Sequence, residues 1–322
     1  MEFLSSLNPA QQEAVLHSSG PLLILAGAGS GKTRVITYRI AYLIGDGHAA
    51  PDEILAVTFT NKAAEEMRER VRELVGDEGS RVWLSTFHAL CARLLRREAP
   101  SIGLSRDFVI YDSSDQIAVV KQGMRALGID DKLLAPRQAL SRISAAKNRM
   151  EGPGDLQSAS WNLREQQVAK IYEYYLRALT DSSALDFDDL LLKTVEMFET
   201  SETVRNKYAQ QFKYVLVDEY QDTNRPQYML VKRLAAIHRN LCVVGDPDQS
   251  IYKWRGADMR NLRDFEDDFP EAHTVRLEQN YRSTQVILDA ATAVISRNTN
   301  RKEKRLWTDK EGGRPIVYFR GG

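Results

Sequence analysis

The sequence predicts an α/β protein built on a mostly parallel sheet and interrupted by an all-helical block. Three observations predict it. Short apolar runs alternate with amphipathic helical patterns through the first part of the chain. A glycine-rich loop joins the first such run to the first long helix. Strand signal then fades between about Ser113 and Thr200 and returns at Lys213. Strand–helix alternation places helices on both faces of a parallel sheet, and a long gap without strands reads as an insertion.

Taken in order, Pro21 to Ala26 is a buried strand, and Ile36, Ile40, Leu43 and Ile44 mark one face of the helix after it, which stops near Gly45 and Gly47. Glu53 to Phe59 is the next strand, and Ala64, Met67, Val71, Leu74 and Val75 give the next helix its apolar face. Val82 to Phe87 is strand-like, with Leu90, Cys91, Leu94 and Leu95 opening a helix. In the helical block, Pro136 starts a helix ending near Asn148, residues 151–155 break it, and Val168, Ile171, Tyr175 and Leu179 line a long helix over 161–180. Strands return at Val215–Val217, Leu241–Val244 and Thr274–Leu277, a helix follows from Ser283, and Arg314 to Phe319 reads as one more strand.

The chain has 322 residues, enough for about two domains at ~150 residues each. Hydrophobic residues make up 43 %, which supplies a core. Lys+Arg 44 balance Asp+Glu 44, excluding a uniformly basic binder but not a local basic groove. Cys91 and Cys242 lie far apart in apolar runs and form no disulfide or metal pattern, which fits a reducing, cytoplasmic setting. No apolar run reaches the ~18 residues of a membrane span, and the N-terminus does not read as a signal peptide.

The chemistry sits at strand ends. Ala26-Gly27-Ala28-Gly29-Ser30-Gly31-Lys32-Thr33 follows a strand and opens a helix, the context of a phosphate-binding loop. Backbone N–H groups curl around an anion there, Lys32 reaches the β- and γ-phosphates, and the Thr33 hydroxyl ligates Mg²⁺. Val215-Leu216-Val217 ends in Asp218, a second Mg²⁺ ligand, and Glu219, a base for the attacking water. Gly245-Asp246-Pro247-Asp248-Gln249-Ser250 ends a third strand, where Gln249 can sense the γ-phosphate. Tyr252, Trp254 and Arg255 follow, an aromatic and cationic group suited to base stacking and phosphate contact. Core packing of Trp254 is the alternative.

Seven ordered segments now coincide: Leu7 to Gln12, Ala26 to Thr33, Thr58 to Ala64, Ser85 to His88, Asp218 to Asp222, Gly245 to Arg255 and Leu277 to Thr284. Together they resemble superfamily 1 DNA helicases of the UvrD/PcrA/Rep type across essentially the whole chain. The resemblance implies a RecA-like phosphate-loop motor domain in two parts, 1–105 and 185–276, a helical accessory subdomain at 106–184, and the start of a second RecA-like domain at 277–322. It also implies that strand 241–245 lies between the strands ending at Ala26 and Asp218.

The same resemblance implies site roles. Lys32, Glu219, Gln249 and Arg282 act in ATP hydrolysis, Arg282 as an arginine finger. Gln11, Gln12, Ala28, Gly29, Ser30, Gly31, Lys32, Thr33, Arg34 and Tyr281 hold ATP, with Gln11 reading adenine and Tyr281 stacking on it. Thr33 and Asp218 hold Mg²⁺. Phe59, Thr60, Asn61, His88, Tyr252, Trp254 and Arg255 line a single-stranded DNA path, and Lys147 is a further DNA contact unless it is a solvated helix charge. A packed histidine is the alternative for His88. The implied activity is 3′-to-5′ translocation and unwinding of duplex DNA at single-strand/duplex junctions, in repair or replication. The chain stops at Gly322, before the family's further motifs. It is therefore expected to be an N-terminal portion that binds ATP and single-stranded DNA with little turnover by itself.

Overall fold

The computed structural model describes residues 2–158, 162–250, 256–258, 260–298 and 304–319. The chain opens with helix α1 (Pro9–Leu16), β1 (Leu22–Ala26), α2 (Lys32–Gly45), β2 (Ile54–Thr58), α3 (Asn61–Val75), β3 (Trp83–Thr86) and α4 (Phe87–Glu98). A two-residue strand β4 (Val109–Ile110) leads into α5 (Ser113–Ala126), α6 (Pro136–Asn148), α7 (Pro153–Ser158) and α8 (Leu163–Asp181), and β5 (Ala184–Leu185) follows. Then come α9 (Phe187–Thr200), α10 (Glu202–Gln211), β6 (Tyr214–Val217), α11 (Arg225–Leu234), β7 (Leu241–Gly245), α12 (Arg260–Asp268), β8 (His273–Leu277) and α13 (Gln285–Ile295).

Six strands form one parallel sheet in the order β3-β2-β6-β7-β1-β8. Strand β7 thus separates β1 from β6, as expected. The strands are apolar on both sides because both faces are covered. Leu23, Leu25, Leu55, Val57, Val215, Val217 and Val243 point into one core with α4, α9 and α11. Leu22, Ile24, Ala26, Ile54, Ala56, Leu216, Cys242 and Val244 point into the other, with α1, α2 and α3. The alternation is the period-two geometry of a strand.

Side-chain caps set several helix starts. Thr60 accepts from Ala63 N at α3, and Thr86 from Ala89 N at α4. Asp186 accepts from Asp189 N at α9. Each satisfies an orphan N–H of the first turn. The buried Arg39 of α2 donates to the carbonyls of Ala14 and His17 and closes the end of α1.

The helical block has its own core, centred on Val120, Ile143, Val168, Ile171 and Tyr175. Two sequence expectations need correction. The block is bracketed by a small parallel pair, Val109↔Ala184 and Ile110↔Leu185, too short to leave a sequence period. Residues 314–319 form no strand. No described strand lies alongside to take their backbone hydrogen bonds, and Ile316, Val317, Tyr318 and Phe319 are 58–90 % exposed.

Candidate nucleotide site and nucleic-acid interface

The phosphate loop lies at the C-terminal end of β1, between β7 and the edge strand β8. Gly29 (φ 67°) and Gly31 (φ 88°) take left-handed backbone that other residues adopt at a cost. A Cβ on Gly31 would fall 2.9 Å from the Gln11 amide. That amide, fully buried, donates to Ser30 O at 3.0 Å, while its oxygen accepts from Asn8 N. Gln11 therefore grips the loop backbone.

Lys32 begins α2 and reaches Glu219 Oε2 at 2.8 Å. Glu219 follows β6 in a left-handed conformation, φ 50°, a strain of about 1–3 kcal/mol that clusters at functional sites. Its N–H donates to Asp218 Oδ1 at 2.9 Å. The buried Asp218 carboxyl is pushed up to about 7, first by burial and then by the Glu219 charge, with Lys32 opposing. A divalent cation would relieve that charge crowding. Among the described residues no cluster of three His, Cys, Asp or Glu exists to hold one unaided. A cation here would take Asp218, the Thr33 hydroxyl and phosphate oxygens, which suits Mg²⁺.

Gln221 ties these strands together. Its amide donates to Glu219 Oε2 at 2.7 Å, and its oxygen accepts from Asp246 N at 2.9 Å. The sequence reading placed Gln221 inside a motif without giving it a role. Gln249, at the end of β7, donates to Asp246. Lys304 comes in from the far end of the chain, buried, with Asp248 at 2.9 Å and Asp246 as partners.

Strand β8 delivers the third side of the site. Gly27 N donates to Leu277 O, Asn280 Nδ2 to Ala28 O, and Tyr281 N to Gly29 O. The Asn280 oxygen accepts from Arg282 N and Ser283 N. Tyr281 accepts from Asn8 Nδ2 at 2.8 Å, so Gln11 and Tyr281 approach one edge of the loop. Two expected ATP contacts are engaged elsewhere. Gln12 donates to the carbonyls of Leu4 and Leu7, and Arg34 to Ser6.

A cavity of about 770 Å³ opens between the sheet and the helical block. Phe59, Thr60 and His88 line it from the sheet side, and Ser144, Asn148 and Arg149 from α6. Asn61 stands exposed on the first turn of α3. Phe59 packs edge-on to Phe87, and His88 to Phe187. Burial lowers the His88 pKa and favours its neutral form. Asn148 bridges from Ser144 to Asn224 at the start of α11. Tyr252, Trp254 and Arg255 lie outside the described residues.

Lys147 corrects the sequence reading. It is neither a DNA contact nor a solvated charge, because its ammonium is fully buried, 2.7 Å from both Asp186 and Asp189. The acidic start of α9 draws it inward. Tyr175 donates to Asp186 at 2.8 Å. Asp186 is held below the usual range by Lys147 against its burial, while burial and the Asp186 charge push Asp189 up to about 6.

A parallel sheet with Lys32 in a strand–loop–helix turn and two acids on a nearby strand end defines a phosphate-loop α/β protein. Residues 7–270 match the family described as "UvrD/REP helicase N-terminal domain", and residues 275–321 match "UvrD-like helicase C-terminal domain". The chain belongs to the UvrD/REP helicase family. It is 51 % identical over 320 residues, 99 % of this chain, to a Bacillus subtilis (strain 168) protein named ATP-dependent DNA helicase PcrA. It is 52 % identical over 316 residues, 98 % of this chain, to a Staphylococcus epidermidis protein of the same name. The chain spans 43 % of the length of these relatives.

Proposed function

We propose that this chain forms the nucleotide-binding and leading DNA-binding part of an ATP-dependent DNA helicase that moves 3′-to-5′ on single-stranded DNA. The observation that carries the proposal is the 2.8 Å pair between Lys32 of the phosphate loop and Glu219 beside the buried Asp218. The names of the relatives support ATP and DNA as ligands.

Lys32 exchanges Glu219 for the β- and γ-phosphates when ATP binds. Glu219 is then free to orient the attacking water and take its proton. Mg²⁺, held by Thr33 and Asp218, would neutralise charge on the phosphoryl oxygens. Gln11 and Tyr281 bind the base, Gln11 exchanging its bonds to Ser30 and Asn8 to do so. Arg282 reaches towards the γ-phosphate, and Gln249 reports its loss. Phe59, Thr60, Asn61 and His88, with Tyr252, Trp254 and Arg255, form the strand path through stacking and backbone contact. Domains 1–105 plus 185–276, 106–184 and 277–322 serve as motor, accessory block and start of a second motor unit. A junction between single and double strand is the substrate, in repair or replication, and the protein works in the cytoplasm.

The test is ATP hydrolysis with and without single-stranded DNA in wild type and Glu219→Gln. Binding of ATP·Mg²⁺ is expected to survive in the variant while DNA-stimulated turnover collapses in a longer protein. Turnover near the wild-type rate would remove Glu219 as base. A second reading, that residues 1–322 bind both ligands but turn over slowly and do not unwind, is favoured by the exposed apolar segment Ile316–Phe319. Robust strand displacement by 1–322 would exclude it.

A further inference from the structure

Helix α4 carries a stripe of cations that the nucleotide and cavity sites do not use. A groove on its outer side is lined by Ala89, Ala92, Arg93, Arg96, Arg97 and Arg106. Arg93 and Arg97 stand four residues apart, one turn above Ala89, so they share a face. All four arginines are exposed. Among the described residues no carboxylate lies within salt-bridge distance of any of the four guanidinium groups. Glu98, the nearest acid on the helix, is held by Lys207 at 2.6 Å and Tyr208 at 2.7 Å. Exposed Asp107 follows Arg106 and bonds its own N–H to Ser105.

The cations are also positioned. Arg93 lies 3.6 Å over the Trp83 ring and Arg97 5.0 Å from the same ring. Arg96 lies 5.2 Å from the Phe108 ring. A stacked guanidinium keeps its plane fixed and its N–H edge free for an anion, where a lysine would not. Gathering four arginines with no carboxylate in ion-pair contact is unfavourable for the fold alone. Arg93 is lowered by burial and by Arg97. A polyanion would offset that repulsion.

Position decides which polyanion. His88 lines the cavity between sheet and helical block, and Ala89, the next residue, lines the arginine groove. Consecutive helix residues project about 100° apart, so the two sites meet around the first turn of α4. Trp83 belongs to β3, the edge strand of the sheet. Trp83 opens β3 and Thr86 ends it, so a nucleic-acid strand leaving the cavity at His88 reaches Arg93 and Arg97 by turning down along α4 for about 10 Å.

We infer that the arginine groove on α4 binds the sugar–phosphate backbone of the same DNA strand after it leaves the cavity at Phe59 and His88, without reading its bases. The inference rests on the DNA reading proposed above. Anisotropy titrations of 1–322 with oligo(dT) of about 6 and about 20 nucleotides test it, since one stacking site spans about 4–16 nucleotides. In Arg96→Gln/Arg106→Gln, with melting checked by circular dichroism, the short oligonucleotide is expected to bind as in wild type. The long one should bind about 10-fold more weakly at low salt. Its log–log salt slope should be shallower by about 1.4, two contacts at about 0.7 each. Arg96→Lys/Arg106→Lys should restore most of that slope. An unchanged affinity and slope for the long oligonucleotide would overturn the inference. So would arginine-dependent binding of polyglutamate without any effect of the arginines on DNA. Failure of wild type to bind either oligonucleotide would instead refute the DNA reading and, with it, this extension.

Discussion

Lys147 shows how one buried charge can be worth more to the fold than to any ligand. It joins the last turn of α6 to the first turn of α9, the seam between the helical block and the sheet with its covering helices. Lys147→Met would leave two carboxylates buried without their cation, a loss of roughly 3–5 kcal/mol. A lowered urea midpoint is the expected reading, and an unchanged one would contradict the burial argument. The pH dependence has a definite sign. Asp189 titrates near 6 in the folded protein, above its ordinary value of 3.8. Its ionisation therefore costs stability as pH rises from about 4 to about 6. Asp189→Asn lacks that cost, so its melting-temperature deficit against wild type should shrink between pH 4 and pH 7. At the nucleotide site, Lys32→Ala removes a charge-assisted phosphate contact, and ATP affinity should fall about 10-fold for each 1.4 kcal/mol lost. Isothermal titration checks it. The role expected of Lys32 comes from the glycine-rich run beside it in sequence, whereas its partner Glu219 stands 187 positions away. The partners of Lys147 stand 39 and 42 positions away, and no local pattern names them.

At the scale of elements, the phosphate loop and the turn after β8 form one unit. Ala26 pairs with Leu277, and three bonds then join residues 27–29 to residues 277–281. Gly29 is the tight point. A Cβ there would lie 2.7 Å from Asn280 Nδ2 and 2.8 Å from Arg282 Cβ, on left-handed backbone. Gly29→Ala should cost more than about 1 kcal/mol and weaken ATP binding at once, read by melting with and without nucleotide. Loss of neither would mean that the loop moves freely past β8. Strands and long helices were legible because period and punctuation agree: α6 runs Pro136–Asn148 as the residues indicate. The β4–β5 pair and the missing strand at 314–319 were not. The first is too short for a period, and the second has apolar residues of strand type but pairs with no described strand. The role of Gln221 was hidden for another reason: it bonds across the ends of β6 and β7, and pairing order is a tertiary fact.

For the whole molecule, the exposed apolar side chains are concentrated late in the chain. Val286, Ile287 and Val294 on α13 and Ile316 to Phe319 stand 39–90 % exposed. Contiguous apolar surface of this kind promotes association. Residues 1–322 should self-associate as concentration rises, and Val317→Lys/Phe319→Lys should suppress it in sedimentation velocity. A monomer at all concentrations would mean that the segment folds back onto the protein. The bonds that pin the β8 turn to the phosphate loop also decide which residues stay with that loop. Asn280 and Tyr281 are fastened to Ala28 and Gly29, and the Asn280 side chain holds the backbone of Arg282 and Ser283. Anything beyond that swings without carrying Arg282 away from the loop. Any hinge in this stretch would therefore fall at or after Ser283, leaving Arg282 fastened to the phosphate loop like a pawl mounted on the frame rather than on the wheel.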